Sequence, residues 1–172
     1  MKRTYVFLFL ALIFSGCTSQ PIKTADKIDI NKFMGKWYVL GGRFTSFEKD
    51  VYNATEIYKL DPDEDNIDID FKYNKGSFNG QVKSIPQRGE VYNKTTKTHW
   101  KIKVFWPLKF SYLIVAVADD YSWTAIGVPD QDYLWIMARD YNNPEATIAT
   151  VTKKLNEIGY DSTIKVTVPH SH

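Results

Sequence analysis

The chain has 172 residues, 44% of them hydrophobic and 24% charged, which is the make-up of one globular domain and leaves little room for two. Aromatic residues reach 15%, enough to line a large core or a wide apolar pocket without many helices, and the composition excludes disorder, collagen and coiled coil. The net charge of +2 rests on Lys2 and Arg3; without them Lys+Arg falls from 22 to 20, equal to Asp+Glu, so no basic field for nucleic acid remains.

Residues 1–16 read as a targeting signal that is removed. Lys2 and Arg3 precede an apolar run, Val6 to Phe14, too short to cross a bilayer as a helix, and then come Ser15, Gly16 and Cys17. Small residues directly before a Cys resemble the bacterial lipobox, which implies cleavage before Cys17 and acylation of both its sulfur and its new amino group. Phe14 stands where that motif usually has Leu. Cys17 is the only cysteine, so no internal disulfide can form, and lipidation accounts for its place; an ordinary secretory peptide with a free thiol is the alternative. Several acyl chains, at about 0.8 kcal/mol per buried CH₂, hold a protein on a membrane. Thr18, rather than an Asp resembling an inner-membrane retention signal, points to the outer membrane of a Gram-negative cell. Residues 17–29 are then the lipidated Cys and a polar linker, 30–169 the folded domain and 170–172 a tail.

The domain reads as a series of short strands. Ile67, Ile69, Phe71 and Tyr73 alternate with Asp68, Asp70 and Lys72, and Trp100, Ile102, Val104 and Trp106 alternate with Lys101, Lys103 and Phe105. Turn residues punctuate these runs at 61–66, Asn74-Lys75-Gly76, Asn93-Lys94, Asp119-Asp120 and Pro129-Asp130. The pattern predicts eight strands, near 36–45, 52–60, 66–73, 77–92 with an interruption at Pro86, 98–106, 111–118, 122–128 and 133–139. A helix follows, capped by Asn143 with Pro144 in its first position and stopped at Gly159. Its Ile148, Val151, Leu155 and Ile158 form one apolar stripe to lay outside the sheet. A last strand, Thr163 to Val168, can pair with an edge.

Short connections and even spacing predict an all-β, antiparallel up-and-down barrel of eight strands, just wide enough for one small ligand, with one C-terminal α-helix packed outside. Gly35-Lys36-Trp37, Asp120-Tyr121 after the sixth strand, and the 132–139 segment ending in Arg139 resemble, in order and spacing, the three motifs of the lipocalin family over about residues 30–168. Within it, Trp37-Tyr38, Phe47-Glu48, Asn53-Ala54-Thr55, Tyr112, Tyr121 and 133–136 are similar to the bacterial outer-membrane lipoproteins. That group carries an Arg where this chain has Gly42, and the arginine here is Arg43. The resemblance implies a carrier or scavenger of fatty acids or lysophospholipids.

Trp37 and Arg139 are expected to stack at the closed end as structure rather than site. With Trp37 inward, a period of two carries Val39, Gly41 and Arg43 to the same face, and Arg43 at the mouth can clamp an anionic head group; the alternative turns it to solvent or pairs it with Glu48. Ala54, Glu56 and Tyr58 share a face, so Glu56 and Tyr58 become lumenal candidates. Alternation also selects Ile69, Phe71, Tyr73, Trp100, Ile102, Val104, Tyr112 and Ile114 as walls, either of a cavity or of a filled core.

Catalysis finds little support: His99, His170 and His172 are the only histidines, and no G-x-S-x-G, H-E-x-x-H or Cys-His pair occurs. Asp61, Asp63, Asp65 and Asp68 lack the Gly and Glu of a calcium loop. The expectation is therefore a non-enzymatic, lipid-anchored outer-membrane lipocalin, without metal or cofactor, whose partners are one small lipid and the membrane, a homodimer being left open. A filled-barrel interaction lipoprotein and an enzyme acting on a lipid within the barrel are the alternatives.

Overall fold

A computed structural model describes residues 22–48, 50–61, 66–103 and 107–171. Cys17, the signal segment, Asp63, Asp65, Val104 and Trp106 lie outside the described residues.

A one-turn helix, α1 (Ile30–Phe33), capped by the Asp29 carboxylate, precedes β1 (Gly35–Arg43), β2 (Val51–Leu60), β3 (Asn66–Lys75), β4 (Val82–Val91), β5 (His99–Lys103), β6 (Lys109–Val117), β7 (Trp123–Gly127) and β8 (Leu134–Ala138). Then come α2 (Pro144–Glu157) and a two-residue β9 (Val166–Thr167). Every neighbouring pair is antiparallel, and pairing of β1 with both β8 and β2 closes the eight strands into a barrel; β9 pairs with β1 at Gly41 and Gly42, beyond the described pairing of β1 with β2. The expected break at Pro86 is absent. β4 runs through it opposite Asp70, and described pairing of β4 with β5 begins only at Arg88, so the missing proline N–H interrupts no described ladder bond.

Two apolar cores follow from the alternation. The inner one gathers Trp37, Val39, Ala54, Tyr58, Ile67, Ile69, Phe71, Tyr73, Trp100, Ile102, Ile114, Ile126 and Met137, with Phe33 beneath them. The outer one seats Val151 and Leu155 of α2 on Leu113, Val115, Ala125, Leu134 and Ile136, which is why β6 and β8 are apolar on both faces. Asn143 accepts from Ala146 N at the start of α2, and Gly159 takes φ 74° just past its end, a conformation only glycine adopts without strain.

Bulges break the period of two in three places: between Val39 and Gly41, between Tyr52 and Thr55, and between Ile114 and Ala116. In β6 the extra residue lets Val115 and Ala116 both join the outer core before Val117 returns to the inner one.

The chain after α2 is locked to the barrel by Tyr160, whose hydroxyl donates to Tyr133 O and accepts from Val128 N, both at 3.1 Å. Gly127 makes room for it, since a Cβ there would come 2.1 Å from the Tyr160 Oη. Gly127→Ala is expected to unseat the ring and lower stability by about 1–3 kcal/mol, read by thermal denaturation; an unchanged midpoint would show the seat to be slack.

Candidate ligand-binding site

At the end where β1 begins, α1 lies across the barrel. Phe33 is fully buried, with ring centroids 5.1 Å from Trp37, 5.5 Å from Tyr58 and 5.3 Å from Trp100. The Arg139 guanidinium carbon stands 3.7 Å over the Trp37 ring. Its nitrogens donate to the carbonyls of Lys36 and Lys32 at 2.7 Å, Met34 at 2.9 Å and Phe33 at 3.1 Å, and Trp37 Nε1 donates to Phe33 O at 2.8 Å. Gly35 brings the backbone close: a Cβ on it would sit 3.5 Å from Arg139 Nη1. Asp120 caps its own turn by accepting from Ser122 N, while Tyr121, with φ 59°, accepts from Asp29 N through its hydroxyl at 2.6 Å. These motif residues thus hold α1 as the floor.

Above this floor the walls are Ile69, Phe71, Tyr73, Ile102 and Ile114, all buried, together with Trp100 stacked on half-buried Tyr112 at 5.6 Å and 9°. Glu56 projects among them from β2, opposite Trp37 of β1 and Phe71 of β3. Only 6% of it is exposed. Tyr58 donates to Glu56 Oε2, Tyr112 Oη lies 3.3 Å from the same oxygen, and the two hydroxyls also bond to each other. At the opposite end the turn Ser46–Glu48 brings Glu48 over Trp135, whose Nε1 donates to Oε1 at 2.8 Å, while Thr45 N and Oγ1 bond to Oε2 at 3.1 and 2.8 Å.

The lipocalin-like domain family matches residues 28–170, most of the chain and all eight barrel strands. The chain belongs to the lipocalin family. The outer membrane lipoprotein Blc of Vibrio cholerae is 24% identical over 91% of this chain and 93% of its own length. Blc of Escherichia coli K12 is 24% identical over 75% and 74%, and temperature-induced lipocalin-1 of Arabidopsis thaliana 24% over 83% and 79%. Among solved structures, insecticyanin of the tobacco hornworm Manduca sexta superposes with a TM-score of 0.67 at 16% identity, covering 89% of this chain and 86% of its own. The cockroach allergen Per a 4 gives 0.60 at 21%, covering 90% and 95%. Both likenesses concern the fold.

In this lipocalin Arg43 does not reach the lumen. The bulge after Val39 shifts β1 by one residue, so that Gly41 faces outward against Val166 and Ile148, and Phe44, rather than Arg43, packs on the inner core. Arg43 is 4% exposed and donates to Thr163 O at 2.6 Å, Gln131 O at 2.8 Å and Asp161 O at 2.9 Å, with the Asp161 carboxylate at 3.3 Å. It ties the C-terminal segment to the β7–β8 turn and is no head-group clamp. Pairing with Glu48 is also excluded, since that carboxylate is engaged by Thr45 and Trp135. Of the residues selected by alternation, Ile69, Phe71, Tyr73, Trp100, Ile102, Tyr112 and Ile114 face the inner core; Phe33 joins them from α1, which has no period of two, and Trp135 and Met137 from β8, whose period marks both as inward.

Glu56 dominates the electrostatics of the lumen. Burial first, and the Glu48 carboxylate second, push its pKa from the ordinary 4.5 to about 8, against a smaller lowering by the Tyr112 hydrogen bond. Burial likewise pushes the Tyr112 phenol well above its usual range, aided by Glu56. Between pH 4.5 and about 8 the folded protein keeps a proton that the unfolded chain has lost, so this residue makes stability fall as pH rises through that window. Glu56→Gln is expected to match the parent near pH 4 and to exceed it by on the order of 2–4 kcal/mol near pH 9, read by chemical denaturation at several pH values. A difference that does not change with pH would show that Glu56 ionises like a surface carboxylate.

Proposed function

We propose that this lipocalin binds one single-chain lipid, a fatty acid or a lysophospholipid, and carries or stores it in the cell envelope, anchored to the outer membrane by acyl chains on Cys17. The inner wall carries the ligand-binding part of this reading. From Trp100 and Ile102 to Phe71 and Tyr73, one continuous aromatic and aliphatic surface faces the barrel interior, interrupted by a single cluster of polar groups, Glu56, Tyr58 and Tyr112. Apolar lining with a few convergent polar groups is the make-up of a small-molecule site. The ligand-binding residues proposed are those three together with Ile69, Phe71, Tyr73, Trp100, Ile102, Val104 and Ile114. This make-up is that of a carrier's pocket, and the reading is of a carrier rather than an enzyme.

The name outer membrane lipoprotein given to the Blc relatives, and the Ser15-Gly16-Cys17 sequence, support the anchor. Native mass spectrometry of the protein mixed with a lipid extract is expected to show one lipid per chain. A chain that stays empty and also fails to take up a fluorescent fatty acid would overturn the carrier reading in favour of a filled-barrel interaction protein. Separately, Cys17→Ser is expected to move the protein from the membrane fraction to the soluble fraction; a variant still held on the membrane would point to another anchor.

A further inference from the structure

Three groups able to carry a hydroxyl proton meet just above the floor. Glu56 is more than nine-tenths buried, Tyr58 donates to its Oε2, Tyr112 Oη lies 3.3 Å from the same oxygen, and the two phenols bond to each other. The Glu48 carboxylate, from the β1–β2 turn, adds a like charge. The other elements around Glu56 contribute uncharged rings: Trp37 from β1, Phe71 from β3, Trp100 from β5 and Phe33 from α1. The three described arginines are engaged elsewhere, Arg43 on the C-terminal segment, Arg88 on Asp61 and Asp68, and Arg139 on the floor carbonyls. A carboxyl buried in this company keeps its proton, and its pKa of about 8 agrees. With both phenols directed at Oε2, that proton belongs on Oε1, the oxygen these two bonds do not use. At neutral pH the cluster is therefore a set of donors rather than a fixed negative charge.

Resting on the carrier reading above, we infer that the ligand is a fatty acid held carboxyl end inward, its carboxylate accepting the Glu56 proton beside Tyr58 and Tyr112 while its methyl end points to the mouth. A neutral carboxyl next to a tyrosine hydroxyl can hold an oxyanion in an apolar site, and bonds from O–H to a carboxylate are among the strong ones. The reverse orientation is poorer at both ends. A methyl group pressed on the cluster gives the Glu56 proton no acceptor. A carboxylate left at the mouth lies toward Glu48, and exposed Lys83, opposite Tyr73, offers it only a solvent-screened pair. A lysophospholipid, with its large and strongly hydrated head, cannot make the inward contact, so the cluster selects the fatty acid of the two ligand classes.

The carboxyl pair needs one proton. Near pH 7 Glu56 brings it; above pH 8 the free protein has lost it and must regain it to bind, so dodecanoic acid affinity is expected to fall about tenfold between pH 7 and pH 9. Dodecanol, which accepts from the acid form and donates to the carboxylate form, is expected to show no such fall. Both are titrated into the full chain by calorimetry. In Glu56→Gln the amide N–H still donates but does not titrate, so the fall is expected to vanish, with dodecanol binding as the sign of an intact barrel. Orientation is read on the parent chain by carbon-13 NMR of dodecanoic acid labelled at its carboxyl or its methyl carbon, with a gadolinium chelate in the water. Expected is a bound carboxyl signal shielded from the chelate and a methyl signal broadened by it. A carboxyl signal broadened as much as the methyl, an affinity equal at the two pH values, or a fall that survives in Glu56→Gln overturns the inference and leaves the carrier reading standing. Failure of both ligands to bind overturns both.

Discussion

Arg139 makes the contact on which the interior depends. Its guanidinium covers the Trp37 ring and gathers the carbonyls of Lys32, Phe33, Met34 and Lys36, and these include backbone acceptors that a four-residue helix cannot satisfy within itself. Lysine has neither the planar fork nor the stacking surface to replace it. By fixing α1 across the barrel, this one side chain places Phe33 under Tyr58 and Trp100. The polar cluster therefore sits on a dry aromatic base instead of on a hydrated opening, and the environment that perturbs Glu56 follows from that.

Much of the barrel is legible in the sequence wherever the period of two runs unbroken. Ile67 to Tyr73 and Trp100 to Ile102 alternate cleanly, and their side chains line the interior. The helix is equally plain, because Asn143, Pro144 and Gly159 mark its ends and Val151 and Leu155 its buried face. What is not legible is the phase of a strand beyond a bulge. Nothing in Val39-Leu40-Gly41 announces an extra residue, yet it turns Arg43 from the lumen to the C-terminal segment. Gly42 also lies in a crowded place, where a Cβ would stand 1.9 Å from Leu134 O, so β1 leaves no room for an arginine at that position in this chain. The resemblance to the outer-membrane group consequently says nothing about how a head group is held here.

The placement of Glu56 shows the opposite situation, a residue whose address is plain and whose chemistry is not. Alternation puts it indoors beside Tyr58, but only the fold brings Tyr112 from β6, 56 residues away, and Glu48 from the turn. A buried carboxyl with two tyrosines and no cation costs stability that an apolar residue would not. Positions that oppose folding in this way are where binding is usually found.

The segment 168–171 takes part in closing the barrel. Described pairing of β1 with β2 extends only to Tyr38 opposite Thr55, and past that point the two strands are bridged by the terminal segment. Val168 N donates to Leu40 O, His170 Nε2 meets Val39 O, Asn53 N donates to Pro169 O, and Ser171 N donates to Asn53 Oδ1. The first hairpin of the domain is thus splinted by residues 168–171, more than a hundred positions further along the chain. A nascent chain whose 168–171 segment has not yet emerged cannot finish this joint, so barrel completion waits for that segment.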